Sequence, residues 1–466
     1  MTVQQIRALG PGLSHYLDEF AGCFAHWETR EHLKQYVQGQ LSNLPRKSVE
    51  PIAHLADVPP RTLQEFLSLS EWNHDRLRDT VQSIVARDCA EPQSIIIVDE
   101  SGHPKKGSKT ACVHRDYCGA SGKVDNCVMS VHLCYASFDG KFRTMIDSDL
   151  YLPKDGWNDP DRRREADIPD SVLYRPKYVI AQEQLQRAID NALPIGWVTA
   201  DEWYGEKPAF IDSLESMGLR FVLEIPKNLM GWLYEPDDAQ AHRGEVLNLV
   251  RWSGPMLRQP WIEFHIKDTG MGAMVWEVRA APFWMKRDGR IVGPYWLIAA
   301  RDVLDRDTIK YFLSNASSGT PLEVILHVGF SRWPIERTLE DEKSELGLSH
   351  FEVRKYPAVL RHLRLTQVSH LFLARQTQRL AEKKSRGDDL PGSRRGQHAD
   401  RCTVVEQRGG SPRTAGAQGQ DHSSDAASQR RFTSIPCQES STTTTGHRHP
   451  RRETPLLHPA VTAIAL

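Results

Sequence analysis

The sequence has almost no net charge: 59 lysines and arginines stand against 60 aspartates and glutamates in 466 residues. Neither sign dominates, so a polyanion or an anionic surface would have to be met by a local patch rather than by the chain as a whole. No apolar run nears the roughly 20 residues that a membrane-spanning helix needs. The opening residues, Met1-Thr2-Val3-Gln4-Gln5, do not lead a basic stretch into an apolar one, so no secretory signal is expected. The cytoplasm is therefore the default compartment, with nucleoid association if the chain binds DNA. Cysteine is sparse and scattered, eight in all, which excludes a secreted disulfide framework. No C-x-x-C pair occurs. Cys112, His114, Cys118, Cys127, His132 and Cys134 fall close together, but their i, i+2 spacings suit alternation along strands better than a zinc site.

What is present is ordinary globular text, 39% hydrophobic and 26% charged, long enough for two or three domains. Residues 1–90 read as a helical N-terminal domain, with apolar residues at helical spacing around Ala21-Gly22-Cys23-Phe24 and through His32 to Val37. Ser48 is placed as an N-cap before a short helix. Asp57-Val58-Pro59-Pro60 then makes a turn, and Arg61 to Leu67 a second helix. Helix, turn and helix over 48–69 is the layout of a DNA reader, and equally of a plain helical hairpin.

From Ser94 the text changes to strands. Ile95-Ile96-Ile97-Val98-Asp99 is an unbroken apolar run, as in a strand buried on both faces. Ala111 to His114 and Val128 to Tyr135 read as two further strands. An amphipathic helix from Tyr178 to Ala192 leads into Trp197-Val198-Thr199-Ala200-Asp201. This is an α/β core over 91–225 and 306–380, in which two strands each end in an aspartate. Between the two pieces, 226–305 reads as an inserted β-rich subdomain with six of the twelve tryptophans and clear alternation in Trp261 to Asp268 and Met274 to Arg279. Helices are expected from Trp333 to Leu346 and from Leu360 to Leu380. Beyond Lys384, Gly, Ser, Thr, Arg, Gln and His dominate, and the tail over 385–466 reads as disordered, because it buries too little apolar surface to offset its ordering entropy.

Two strand-end acids on one sheet, Asp99 and Asp201, face a common cleft beyond the strands' carboxyl ends. Hard divalent cations want oxygen ligands, and two of them flanking a phosphodiester activate the attacking oxygen and stabilise the leaving one. A third carboxylate from an overlying helix would complete such a site. Glu336 is the candidate, with Pro334 in the first helical turn and Lys343 two turns on along the same face. Glu340 shares that face and competes. A solvated helix face with i, i+4 pairing would account for the same acids.

Basic residues crowd both ends of this constellation. His103, Lys105, Lys106, Lys109, His114, Arg115 and Lys123 follow Asp99; Arg354, Lys355, Arg361, His362 and Arg364 follow the Glu336 helix. Arg332 and Lys343 flank Glu336 itself. Groups of this kind supply non-specific DNA affinity by neutralising phosphates; the alternative is solvated surface.

The segments Ile97 to Gly102, the basic stretch to Lys109, Gly119 to Cys127, Leu150-Tyr151-Leu152-Pro153, Ala200 to Gly205 and Leu346 to Glu352 together resemble DDE transposases of bacterial insertion sequences, over about residues 15–380. The nearest branch is insertion-sequence family 701, within the superfamily that carries a Tyr-Arg-Glu-Lys signature around its catalytic glutamate. Arg332, Glu336 and Lys343 fit that signature's spacings; its tyrosine falls at Gly329, with Phe330 beside it. The resemblance implies a ribonuclease H-like core with Asp99, Asp201 and Glu336 as catalytic, metal-binding residues. They would hold two Mg²⁺ ions, with Mn²⁺ able to substitute. It also implies DNA contacts from Arg332, Lys343, Lys105, Lys106, Lys109, Arg115 and Lys123. The implied partners are double-stranded DNA (the element's terminal inverted repeats and the target) and a second copy of the chain on paired ends, with no membrane. The implied activity is DNA cleavage and strand transfer, by a cut-and-paste route. A nuclease of the same fold without strand transfer, and an inactive DNA-binding remnant, are the alternatives. Family members are expected to continue with ordered helical text past Lys384, so the tail implies a reading frame lost there.

Overall fold

The computed structural model describes residues 9–269 and 272–388. Helices come first: α1 (Leu9–Asp18), α2 (Trp27–Leu41), α3 (Val49–Leu55), α4 (Pro60–Ser68) and α5 (His74–Asp88). The stretch Ala21–Cys23 is a single 3₁₀ turn rather than part of a helix. α2 buries Leu33, Tyr36, Val37 and Leu41, and α5 buries Leu77, Val81, Ile84 and Val85, the apolar stripe of a helix against a core. Ser48 does stand at the N-cap of α3, but its hydroxyl makes no capping bond. Asn73 caps α5, its Oδ1 accepting from the Arg76 amide at 2.8 Å. Pro60 opens α4 in the first turn, where its missing N–H costs nothing.

The strands that follow are β1 (Ile95–Pro104), β2 (His114–Cys118), β3 (Lys123–Ala136) and β4 (Arg143–Leu150). Then come α6 (Pro160–Glu165), α7 (Lys177–Asp190), β5 (Trp197–Ala200), α8 (Glu202–Gly205), α9 (Pro208–Ser216) and β6 (Phe221–Glu224). β7 (Met230–Gly231) and β8 (Gly244–Glu245) form a small separate ribbon, followed by α10 (Val246–Trp252) and α11 (Gly254–Leu257). The chain closes with β9 (Ile262–Thr269), β10 (Gly272–Arg287), β11 (Arg290–Asp302), β12 (Ile309–Ser314), α12 (Leu322–Phe330), α13 (Trp333–Glu345) and α14 (Tyr356–Asp388). No helix among the described residues is long and apolar enough to cross a membrane.

One mixed sheet organises these elements in the order β2-β3-β1-β5-β6-β12-β11-β10-β9, with β4 paired to β3. β1, β5 and β6 run parallel; the other pairings are antiparallel. The tryptophan-rich strands thus extend the same sheet through β12, and helices α10 and α11 lie within the stretch that reads from the sequence as β-rich. The strand expected at Ala111 to His114 begins only at His114. Cys112 has φ +65°, a left-handed backbone that no strand accommodates. Asp99 is likewise not a strand end: β1 pairs antiparallel with β3 as far as Pro104, and only its parallel pairing with β5 stops, at Ile97.

Both faces of the sheet are covered. Ile96, Val98, Val198 and Leu223 join one apolar cluster with α7, α9 and the N-terminal helices. Ile95, Ile97 and Val222 join another with α12 and α13. Gly329 belongs to this second layer. A Cβ there would lie 3.1–3.2 Å from the Phe312 ring and Val222, so α12 rests directly on the sheet and a tyrosine at 329 would have no room. α14 crosses between the two layers. It is continuous from Tyr356 to Asp388, so the stretch 385–388, expected to be disordered, is helical. The rest of the expected disordered tail, 389–466, lies outside the described residues.

Candidate active site

Parallel strands carry their registers in step, and side chains two residues apart share a face. Ile97 pairs with Thr199, and Thr199 with Val222. Two residues further along the same face, the register brings Asp99, Asp201 and Glu224 abreast on three neighbouring segments. Asp201 is also the N-cap of α8: its Oδ1 accepts from the Trp203 and Tyr204 amides at 3.1 and 3.3 Å. Asp99 Oδ1 accepts from the Glu100 amide at 2.8 Å. Gly205, at the end of α8, would put a Cβ 2.0 Å from the Glu224 carbonyl oxygen, so glycine is what lets α8 sit on the end of β6.

α13 lies over this row. Arg332, at its N-terminus, reaches three acids at once: Nη2 donates to Glu336 Oε1 at 2.7 Å, Nη1 stands 3.7 Å from Asp99 Oδ2, and Nε 3.7 Å from Glu224 Oε2. Glu224 Oε1 takes Lys310 Nζ at 2.7 Å. Glu340 is exposed and paired with Arg337 at 3.3 Å. Asp99 is 15% exposed and Glu336 45%, so the first is shielded by the fold while the second faces outward.

Burial, followed by the charge of Asp201, pushes the Asp99 carboxyl up to about 7. Burial also raises Asp201, against the amides of Tyr204 and Trp203 and the Arg332 guanidinium, which pull it down. Buried carboxyls raised by a neighbouring acid, Asp99 by Asp201 and Asp201 by Glu224, are the pattern of a functional site. Lys343 is half-buried; desolvation lowers its ammonium while Cys118 and Asp99 work to keep it charged.

Two family profiles cover this constellation. One, described as DDE superfamily endonuclease, matches residues 19–249; the other, described as transposase DDE domain, matches residues 179–372. A curated relative, the probable transposase for insertion sequence element IS701 of Microchaete diplosiphon, is 25% identical over 349 residues, 74% of this chain and 83% of the relative. The chain belongs to the DDE transposases.

In this DDE transposase the donor set suits a hard cation in kind, since the acids beside Asp99 offer only oxygen. As placed, no group of three His, Cys, Asp or Glu side chains among the described residues is gathered tightly enough to hold an ion. The positive charge beside Asp99, Glu224 and Glu336 is Arg332.

The basic residues divide by burial. Lys106, Arg115 and Lys123 are exposed, and Lys109 is exposed but paired with Glu165 at 2.6 Å. Lys105 turns inward. Its Nζ donates to the Ser349 and Phe351 carbonyls at 3.1 and 2.9 Å and lies 3.4 Å from the Phe351 ring centre, and burial lowers it to about 7. The cluster after α13 needs correction. Arg361, His362 and Arg364 are buried; Arg361 donates to the Leu67 and Trp72 carbonyls, and Arg364 pairs with Asp147 and Asp149 at 2.5 and 2.9 Å. His103 is buried as well, between Ser130 and Ser349. Apart from the buried Nε atoms of Arg361 and Arg364, which have no partner, their polar groups are spent on internal partners, and burial closes all four side chains to phosphates.

Glu224, which follows a run of only three apolar residues, and its partner Lys310 are not among the residues the sequence singles out, nor are Glu100 and Tyr204 beside the two aspartates. The short spacing of Phe221-Val222-Leu223-Glu224 after Asp201 carries the same apolar-run-then-acid pattern as the first two strands, and was the available signal.

Proposed function

We propose that the chain cuts DNA at the ends of an insertion sequence and joins the freed 3′-OH to target DNA, both at one site. The ribonuclease H-like core expected of such an enzyme fits the sheet in general plan. A long antiparallel group, β2, β3, β4 and β1, meets the parallel strands β5 and β6, and a helix carrying the third acid crosses over them.

Asp99, Asp201 and Glu336 are the residues that would hold the divalent ions. When bound, Mg²⁺ or Mn²⁺ would activate the attacking oxygen and stabilise the leaving one. The protein's own part is placement. The β1 backbone fixes Asp99, the first turn of α8 fixes Asp201, and Arg332 ties Glu336 to the row. Arg332 and Lys343 are then poised to meet the DNA phosphates whose charge the acids repel. Lys106, Lys109, Arg115 and Lys123 would receive the flanking duplex. Two copies of the chain would pair the two ends, and the nucleoid would be the working compartment.

The observation that carries this reading is the single guanidinium, Arg332, shared by acids from β1, β6 and α13 that lie far apart in the sequence. The test is to incubate purified protein with DNA carrying the terminal inverted repeats, with and without Mg²⁺ or Mn²⁺. Metal-dependent nicking at the ends, followed by joined products, is expected; Asp99→Asn should still bind the DNA and cut none. A wild-type protein that binds but never cuts would leave only a DNA-binding remnant, and cutting without joined products would leave a nuclease.

A further inference from the structure

Buried polar atoms without partners are rare in folded proteins, and where they persist they commonly mark function. Two occur beside the aspartates. Tyr204 is 1% exposed, yet its hydroxyl has no hydrogen-bond partner. Glu100 Oε1 accepts from Lys177 Nζ at 2.8 Å, while Glu100 Oε2 is buried with no partner. Lys177 Nζ, 2.8 Å from Glu100 Oε1, lies 5.9 Å from the Trp203 ring, which is itself 5.0 Å from the Tyr204 ring, and Tyr204 packs in the same apolar cluster as Val98, two residues before Glu100 on β1. An unsatisfied donor and an unsatisfied acceptor thus share one buried neighbourhood.

Each belongs to a different aspartate. Glu100 follows Asp99 and donates its amide to Asp99 Oδ1 at 2.8 Å. Tyr204 donates its amide to Asp201 Oδ1 at 3.3 Å, and its ring is held by Trp203 and Phe210, centroids 5.0 and 5.4 Å away. A bond between the two side chains would therefore cross-link the segment that carries Asp99 to the segment that carries Asp201.

We propose that Tyr204 and Glu100 form a positioning pair for the DNA reaction, joined directly or through one water when the site holds its substrate, which fixes the spacing of the two catalytic aspartates. The proposal rests on the transposase reading above. Positions in such a site matter steeply, since a displacement of about 1 Å costs about a hundredfold in rate. Partners one layer out from a metal site cost about ten- to a hundredfold when removed.

The test is a double-mutant cycle in single-turnover cleavage of end-containing DNA with Mg²⁺, using Tyr204→Phe and Glu100→Ala, with thermal unfolding of each protein. Lys177 keeps Asp116 as a partner at 3.5 Å in the second variant. Each change is expected to lower the cleavage rate about tenfold with KM for DNA within about twofold of wild type. The double variant should fall no further, because both changes break the same link. Tyr204→Phe should melt no lower than wild type, since it removes only an unpaired hydroxyl. Wild-type cleavage by Tyr204→Phe, additive losses in the double variant, or a fall in activity matched by a fall in melting temperature would each overturn the pair. If wild type itself cuts nothing with Mg²⁺ or Mn²⁺, the transposase reading is lost first, and the pair with it.

Discussion

Arg332 is where the residue-scale argument concentrates, because one guanidinium is balanced against carboxylates at 99, 224 and 336. A planar fork with several donors can serve three directions at once, whereas an ammonium is a point charge on a flexible stem. Arg332→Lys is therefore expected to keep the net charge and lose the arrangement, with cleavage of end-containing DNA down about tenfold or more while DNA binding at low salt stays near wild type. Full activity in that variant would show that only the charge matters. Asp99 and Asp201 were legible in the sequence because an unbroken apolar run stopped by an acid is the pattern of a strand buried on both faces. Glu336 is marked in the sequence by its helix and by the spacing of Arg332 and Lys343 around it. Glu224 escaped because a strand of four residues leaves little pattern to read. Gly329 shows the reverse case: a departure from the signature that looks chemical in the sequence is steric in the fold, where the α12 helix touches Phe312 and Val222.

At the scale of elements, α13 carries a buried acid on its inner face. Glu342 is fully buried, neither of its oxygens has a hydrogen bond, and its closest basic atom is His370 Nδ1 at 3.7 Å. Burial, with Asp341 adding to it and Lys343 opposing, raises Glu342 from 4.5 to about 8, and burial together with Arg143 lowers His370 to about 3. A raised acid favours the fold fully below its unfolded value of 4.5, and that contribution is lost as the pH climbs through about 8. The lowered histidine works oppositely: its contribution is full above its ordinary 6.5 and is lost as the pH falls through about 3. Glu342→Gln should accordingly be more stable than wild type at pH 9, by at least about 1 kcal/mol, the worth of roughly one pKa unit, and nearly equal to it at pH 4, below the unfolded value. Denaturant melts at the two values decide this, and an equal difference at both would remove the titration from the account. α14 is anchored differently, by Arg364 against Asp147 and Asp149 with Arg187 on the far side. Truncating one partner of a buried ion pair strands the others, so Arg364→Ala is expected to cost roughly 3–5 kcal/mol, read as a drop in the denaturant midpoint. In the sequence Arg361 and Arg364 read as surface cations because basic residues on a helix are ordinarily solvated; only distant partners, the Leu67 and Trp72 carbonyls for Arg361 and Asp147 and Asp149 for Arg364, reveal otherwise.

The whole molecule has to attract a polyanion with a net charge near zero, and the fold shows how much of its basic charge is free to do so. Arg361 and Arg364 are locked inside, Lys105 is turned inward, and Arg332 is engaged by acids. Of the basic residues close after Asp99, Lys106, Arg115 and Lys123 are exposed near the long β2–β3 hairpin that flanks β1, with Lys123 3.9 Å from Asp125. The sheet's plan was only partly legible: the parallel centre could be read from its apolar runs. Strands β9, β10 and β11, by contrast, alternate as a free-standing β unit would, and nothing in their own residues announces that β12 joins them to β6. The consequence for DNA is a single broad sheet with its acids at the centre and exposed cations on the hairpin beside them. Each phosphate neutralised adds about 0.9 to the steepness with which log affinity falls against log salt. If Lys106, Arg115 and Lys123 each meet one phosphate, replacing all three by alanine should reduce that slope by about 3 and weaken binding similarly for end-containing and unrelated duplexes. A slope unchanged in the triple variant would place the DNA elsewhere on the molecule, and the helices over 48–69, with Arg61 exposed at the start of α4, would be the next surface to neutralise.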